Sequence, residues 1–594
     1  MKLCSLRYFL LALPVVLLFG ACRKSPNRGL SDGDAIEQAE NKRDDEYVRI
    51  VTGDRINVTE QQMKDTVRRT LTALRPGKYF PDPFRRKELH ERMQAFYEGR
   101  SYRLAWNGNE GLLPQADSLL AALGTAHAEG LDPRNYPTDE IEALRDRLFG
   151  ADATPETVQL EDLLHLDLLL TGTYLTYARH LTSGRVNPDD LSEDWYFKLQ
   201  PKDYVQALNR GLKQNRVQRS LVALRPELRQ YALLLEQLAA YRELAEAGGW
   251  PSVPATEEPL KLGDTLPAVG VLKRRLLVTG ELDERTAWAV DTNVFDAGLA
   301  VAVATFQRLQ GTSVDSAVGP TTLELLNVPA ERRVLEIELN LERLRWLPED
   351  LGDRYLLVNI PEYMLHIWEE GERTFQTRVV VGKGFTSETP IFADTMKYVV
   401  LSPTWNVPLS IGRDEMLPKL RRDPSWLSRN NYDLYASWAA DAPKIDPASV
   451  DWESVSPADF NYKVVQRPGG GNALGRAKFL FPNNLSIYLH DTPSDHLFAR
   501  EERDFSHGCV RVEEPARLAA YLLKPNGYDR SRVEEEMYLT EEKWVTMKKI
   551  YPVNIVYRTA WVDEATGEMR FARDVYGYDD AQLNLIRQKE QGMT

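Results

Sequence analysis

Hydrophobic and polar positions change their spacing several times along the 594-residue chain. The apolar "LRYFLLALPVVLLFGAC" follows Lys2, and residues 23 to about 47 are polar and charged, which predicts a flexible tether. From about 48 to 245, apolar residues recur every three or four positions. "QADSLLAALGTAHAEGL" and "LEDLLHLDLLLTGTYLTYARHL" are the clearest cases, and the spacing predicts a helical scaffold. His165 and His180 fall within that pattern and are expected to be packed or surface side chains, not ligands. "AEAGGWPSVPATEEPLKLGD" reads as a linker. After it, to about 330, two helical stretches each lead into a Gly- or Asp-bearing turn.

The period changes to two from about 353. "RYLLVNIPEYMLHIWEEGE", "RTFQTRVVVGK" and "KYVVLSPTWNVP" alternate between turn signals, and predict a mixed β domain. Between Pro408 and about Gln466 the alternation stops, so this segment is expected to be a mostly irregular or helical insertion over the β domain. Strand pattern resumes with "AKFLF", "LSIYLH" and "VNIVYRTAWV", and the tail beyond about 579 is expected to be peripheral. The fold class is therefore multidomain α+β, with a mixed β-sandwich-like domain carrying a cap at about 410–465. The expected boundaries are 1–22 for an export segment, 23–47 for the tether and 48–245 for the scaffold. They continue as 246–330 for linker and small helical domain, 350–562 for the β domain and 563–594 for a C-terminal extension.

Charge and cysteine count narrow the chemistry. The net charge of −14 argues against nucleic acid as a partner. Past the N-terminal stretch no segment is apolar for long enough to cross a bilayer. That stretch reads as an export signal, and "LFGAC" resembles a bacterial lipobox, which implies a lipidated Cys22. A plain signal peptide or an uncleaved anchor is the alternative. Cleavage there would leave Cys509 as the one free thiol of an exported chain, which suggests a reactive cysteine.

Cys509 stands in "SHGCVRV". If 506–512 is extended, His507, Cys509 and Arg511 share one face while Val510 and Val512 face the core. "EEPARLAAYLL" next predicts a helix whose N-terminal dipole could favour thiolate. In "LSIYLH", Leu485, Ile487 and Leu489 face the core, and Ser486, Tyr488 and His490 face the other side. His490 is then placed to accept the thiol proton. Gly508 lets a carbonyl approach, and the Gly508 and Cys509 amides could donate to an oxyanion. A zinc site of His490, His496, His507 and Cys509 is the competing reading, although H-x5-H…H-x-C matches no standard zinc spacing.

"HDTPSDHLFAREERDFSHGCVRV", with "TPIFADTMKYVVLSPTWNVPLSI" and "RPGGGNALGRAKF", closely resembles the catalytic motif of L,D-transpeptidases. The whole chain is similar to the large periplasmic subgroup of that family. "AVATFQRLQG…VDSAVGPTTLELLN" resembles the peptidoglycan-binding type 1 module, through Phe306, Gln307, Gly311, Asp315, Gly319, Thr321 and Leu325. The resemblance implies Cys509 as nucleophile and His490 as base, the latter oriented by a backbone carbonyl near Asp491. Ser506, His507 and Gly508 would support the oxyanion region, and Arg511, Trp405 and Tyr488 would contact substrate. The implied reaction is a cysteine acyl transfer that builds 3→3 crosslinks from tetrapeptide stems, without metal or organic cofactor. Hydrolysis of the same thioester, as a carboxypeptidase or lipoprotein-releasing hydrolase, and a non-catalytic wall-binding lipoprotein remain the alternatives. Expected partners are peptidoglycan stem peptides and glycan strands, a membrane through the lipid anchor, and carbapenem-type inhibitors. The expected location is the periplasm, at the outer membrane.

Overall fold

The computed structural model describes residues 60–591, except 75–78, 81–85, 109–110, 151–158, 200 and 290. The export segment, the tether and Cys22 lie outside the described residues. The first part is helical and has its own core, from Met63 to Leu224. The helix Leu160–Ser183 runs through its centre and is buried on every side from Leu166 onward. Asp167 on this helix is fully buried, and its carboxylate accepts from the Ala105 and Trp106 amides and from the Tyr97 hydroxyl. His180 is buried against the Tyr136 hydroxyl, and His165 lies 3.3 Å from Glu140.

The small domain packs Pro267–Thr279, Ala297–Leu309 and Pro320–Leu326 around Leu272, Leu276, Phe306 and Leu326. Gln307 is buried and donates to Asp315, the Ala317 carbonyl and Thr322. These positions therefore brace the domain's own turn. Arg308 holds Glu568, in the segment that follows the β domain, through two hydrogen bonds of 2.8 and 2.7 Å.

Nine strands make the β domain. They are β1 (Arg354–Asn359), β2 (Met364–Glu369), β3 (Glu372–Gly382), β4 (Phe392–Leu401), β5 (Ala477–Leu480), β6 (Leu489–His490), β7 (Asp504–Ser506), β8 (Val510–Val512) and β9 (Lys543–Val556). Their order is β7-β3-β8-β6-β5-β4-β9-β1-β2, and β2 also pairs with β3, so the sheet closes on itself. Val399, Phe479, Leu489 and Val510 form one fully buried cross-strand row of the core.

The insertion is mostly helical or irregular, as expected, but it also carries short strands. After helical turns up to Arg429 it forms Tyr432–Tyr435, Lys444–Ile445 and Lys463–Gln466, and these join Trp405–Asn406 in a separate four-stranded sheet. Tyr432 and Leu434 turn inward to a core of Leu417, Leu420, Trp452 and Phe460. The strands are too short for a period of two to show among so many charges. One expectation fails: the tail is not peripheral. Tyr578–Gln591 is a helix, and Asp579 ion-pairs with buried Arg343 at 2.7 Å. Glu590 reaches Asn135 and Arg185 of the helical part. Polar bonds seat this helix, so its apolar stripe is faint in sequence.

Candidate active site

The site is built on three neighbouring strands. His490 on β6 lies opposite Lys478 on β5 and opposite Arg511 on β8. Directly paired residues share a face, and the adjacent Phe479–Leu489–Val510 row is the core row. The Lys478–His490–Arg511 row therefore faces away from the core, toward Cys509, which begins one residue before β8.

Residues 506–512 are not one continuous strand. β7 ends at Ser506 and β8 starts at Val510, with a turn between them. Ser506 closes that turn: its hydroxyl donates to the Cys509 carbonyl at 2.5 Å and accepts from the Gly508 amide at 3.2 Å. Alternation therefore breaks at 507–509. His507 turns out to the cap, where Nε2 lies 3.0 Å from Glu415. Gly508 has φ +102°, and a Cβ there would sit 3.3 Å from the Glu388 carbonyl oxygen. Its glycine serves the turn itself. Its amide is engaged by Ser506, whereas the Cys509 amide has no acceptor among the described residues. The helix Pro515–Leu523 exists, but β8 carries the chain away from Cys509 before it starts, and a helix dipole fades within its first turn.

"LSIYLH" forms a two-residue strand, because Ser486 adopts φ +59° and breaks the extension. Asn483 shapes this bend: its Oδ1 accepts from the Leu485 and Ile487 amides. The bend presents the Ser486 carbonyl to the thiol, with Sγ donating at 3.7 Å. Burial pushes the Cys509 thiol up, while Tyr488, Lys478 and Arg511 oppose that rise. The Tyr488 carbonyl accepts from the Val510 amide at 3.2 Å, beside Cys509, and the thiol and Trp405 both act on its phenol. Trp405 in turn packs on Tyr432, so the cap core touches the site.

His490 is 5 % exposed, and Nδ1 donates to the Asp491 carbonyl at 2.5 Å. That bond leaves Nε2 as the proton acceptor. Burial, with Arg511 and Lys478 nearby, brings its pKa down to about 3. The imidazole therefore rests neutral. The Asp491 carboxylate accepts from the Arg476 and Thr492 amides at 2.7 Å each, and this locks the carbonyl that holds His490. Gly475, at φ +60°, leaves room for it: a Cβ would meet Asp491 Cγ at 2.3 Å. Gly475→Ala should cost roughly 1–3 kcal/mol in strain. A Tm lower by several degrees, together with a kcat loss exceeding what the stability change explains, is the expected outcome in calorimetry and turnover assays.

Sequence reasoning missed Lys478 and Gly475, and it placed Ser486 on the site face without its bend or its carbonyl's bond to the thiol. Only "AKFLF" pairing with "LSIYLH" could have suggested Lys478. The four proposed zinc ligands do not converge. No group of three or more His, Cys, Asp or Glu residues able to hold a metal ion occurs among the described residues.

Residues 353–541 match the family model of the L,D-transpeptidase catalytic domain. The chain carries an L,D-transpeptidase catalytic domain. Residues 91–238 match a scaffold domain. The catalytic-domain match stops just before β9, although β9 completes the sheet between β4 and β1. A curated Haemophilus influenzae protein named "Putative L,D-transpeptidase" is 36 % identical over 250 residues, which is 42 % of this chain and 49 % of that protein. The chain thus matches about half the length of this relative. Solved L,D-transpeptidases from Xylanimonas cellulosilytica and Stackebrandtia nassauensis are each 14 % identical. The first match covers 51 % of this chain and 100 % of the other, with a TM-score of 0.16. The second covers 52 % and 96 %, with a TM-score of 0.19. At these scores the two structures carry no argument.

Proposed function

We propose that the chain is a peptidoglycan L,D-transpeptidase that forms 3→3 crosslinks through a Cys509 thioester. The observation that supports this most is the carbonyl-locked His490 set in one cross-strand row with Lys478 and Arg511, the two cations that also act on the Cys509 thiol. His490 Nε2 takes the thiol proton as Sγ attacks the carbonyl at the L-centre of diaminopimelate. The Cys509 amide meets the oxyanion. The bond to D-alanine breaks, and the imidazolium returns its proton to the leaving amine. The side-chain amine of a second diaminopimelate then attacks the thioester, gives its proton to His490, and releases the thiol.

Incubation with tetrapeptide muropeptides and mass spectrometry of the products tests the reading. Free D-alanine with a crosslinked dimer is expected. Tripeptide without dimer would favour the hydrolase, and no turnover would favour a wall-binding lipoprotein. A carbapenem is expected to add once per chain, at Cys509, because its strained carbonyl can occupy the same oxyanion position.

The same proposal includes lipidation of Cys22 and attachment to the outer membrane, supported by "LFGAC" and by Arg23 following the cysteine. Cys22→Ala is expected to move the protein from the membrane fraction to the soluble fraction. A wild-type protein that is soluble without detergent would contradict lipidation.

A further inference from the structure

We infer that Lys478 is a positioning residue whose charge holds the Cys509 thiolate, acting with Tyr488 across the β5–β6 pair. The inference rests on Cys509 being the nucleophile. Lys478 and Arg511 flank His490 in one cross-strand row, and the row ends in buried Val400 and Val380. Both cations are half-buried. Arg511 Nε is buried with no hydrogen-bond partner among the described residues. Lys478 Nζ lies 3.9 Å from the centroid of the Tyr488 ring, and the Tyr488 carbonyl accepts from the Val510 amide, next to Cys509.

Cations partly held out of water without a paired carboxylate cost stability. Their placement therefore needs an anion that forms during function. Glu542 acts on Lys478 from a distance, but its Oε2 is occupied by the Thr404 amide and hydroxyl. The anion nearest this row is the thiolate created when Sγ gives its proton to His490.

The imidazole makes this support necessary. A histidine flanked by two cations resists becoming imidazolium, so it is a weak proton sink by itself. The same cations favour the negative sulfur, and one opposite charge within several ångströms moves a pKa by about 1 to 3. A cation over the ring face also polarises the Tyr488 hydroxyl toward donation. Lys478 thus offsets at the sulfur part of what it costs at the ring. The charged and titratable groups that act on Cys509 are Lys478 from β5, Tyr488 from the segment before β6 and Arg511 from β8, and His490 stands between the two cations in their row.

The test is alkylation of the full chain by iodoacetamide, a neutral probe without a carboxylate. The adduct on the Cys509 peptide is quantified by mass spectrometry from pH 6 to 9, for wild type, Lys478→Met and Lys478→Arg. Lys478→Met is expected to slow alkylation at pH 7 about tenfold or more and to raise its pH midpoint, since one pKa unit is tenfold in thiolate. Lys478→Arg is expected to restore most of the rate. Lys478→Gln is read in the same way if the methionine variant does not fold. A wild-type rate profile in the neutral variants would overturn the inference, as would slowing that arginine does not rescue. Unchanged alkylation with a raised KM for a tetrapeptide donor would assign Lys478 to a substrate carboxylate instead, and so also overturn it. A chain that fails to turn over muropeptides yet shows the Lys478 dependence would refute the proposed reaction and leave this inference standing.

Discussion

Cys509→Ala is expected to abolish D-alanine release and crosslink formation together, by a factor on the order of 10⁴ to 10⁶. The thiol is the bond-forming atom of the proposed reaction, and nothing within the row can replace it. Lys478 lies over a ring, and the nearby Ser486 contributes its carbonyl to the thiol. The fold should hardly notice. The turn is closed by the Ser506 hydroxyl and the Cys509 backbone, and Sγ contributes one long bond to Ser486. Turnover on tetrapeptide muropeptides, read beside a thermal melt, separates the two effects. Retained activity with an intact melt would remove Cys509 from the mechanism, and carbapenem addition should vanish with it.

His490→Ala should lower kcat by about 10² to 10⁴, the usual worth of a positioned general base. Iodoacetamide alkylation of Cys509 should also slow, because the proton loses its acceptor. The same residue predicts a stability signature. His490 titrates near 3 in the folded chain, against an ordinary 6.5. The unfolded chain therefore takes up a proton that the folded chain refuses. Stability from this site is full above about 6.5 and declines as pH falls from there toward 3. In His490→Gln that component should disappear, so Tm should fall less between pH 7 and pH 5 than in wild type. An equal pH dependence in both would show that the imidazole is not buried and neutral.

Much of this site is local, and local features are legible. "SHGCVRV" names the thiol, although its turn was not legible, because the two valines favour an extended reading of 506–512. The alternation in "LSIYLH" puts Tyr488 and His490 on one face, and their rings lie 5.8 Å apart. The helical period around 160–183 marks the scaffold's central helix, since a fully buried helix needs apolar residues all round. Features that depend on bends or on short paired segments were not legible. Ser486 leaves the extended region without a glycine to announce it, and the cap strands are two to four residues long.

The sequence by itself determined the candidate nucleophile, the candidate base and the existence of a period-two domain, because each is a matter of residue type and near-neighbour spacing. Only the tertiary structure decided the register. Lys478 and Arg511 are 33 positions apart, with His490 between them, and nothing in their spacing aligns them. Pairing of β5 with β6 and of β6 with β8 does so, and pairing is chosen by the burial of Phe479, Leu489 and Val510. A slip of one residue would turn the cations and the imidazole into the core. The charged row that faces the thiol is thus set by the apolar row beside it.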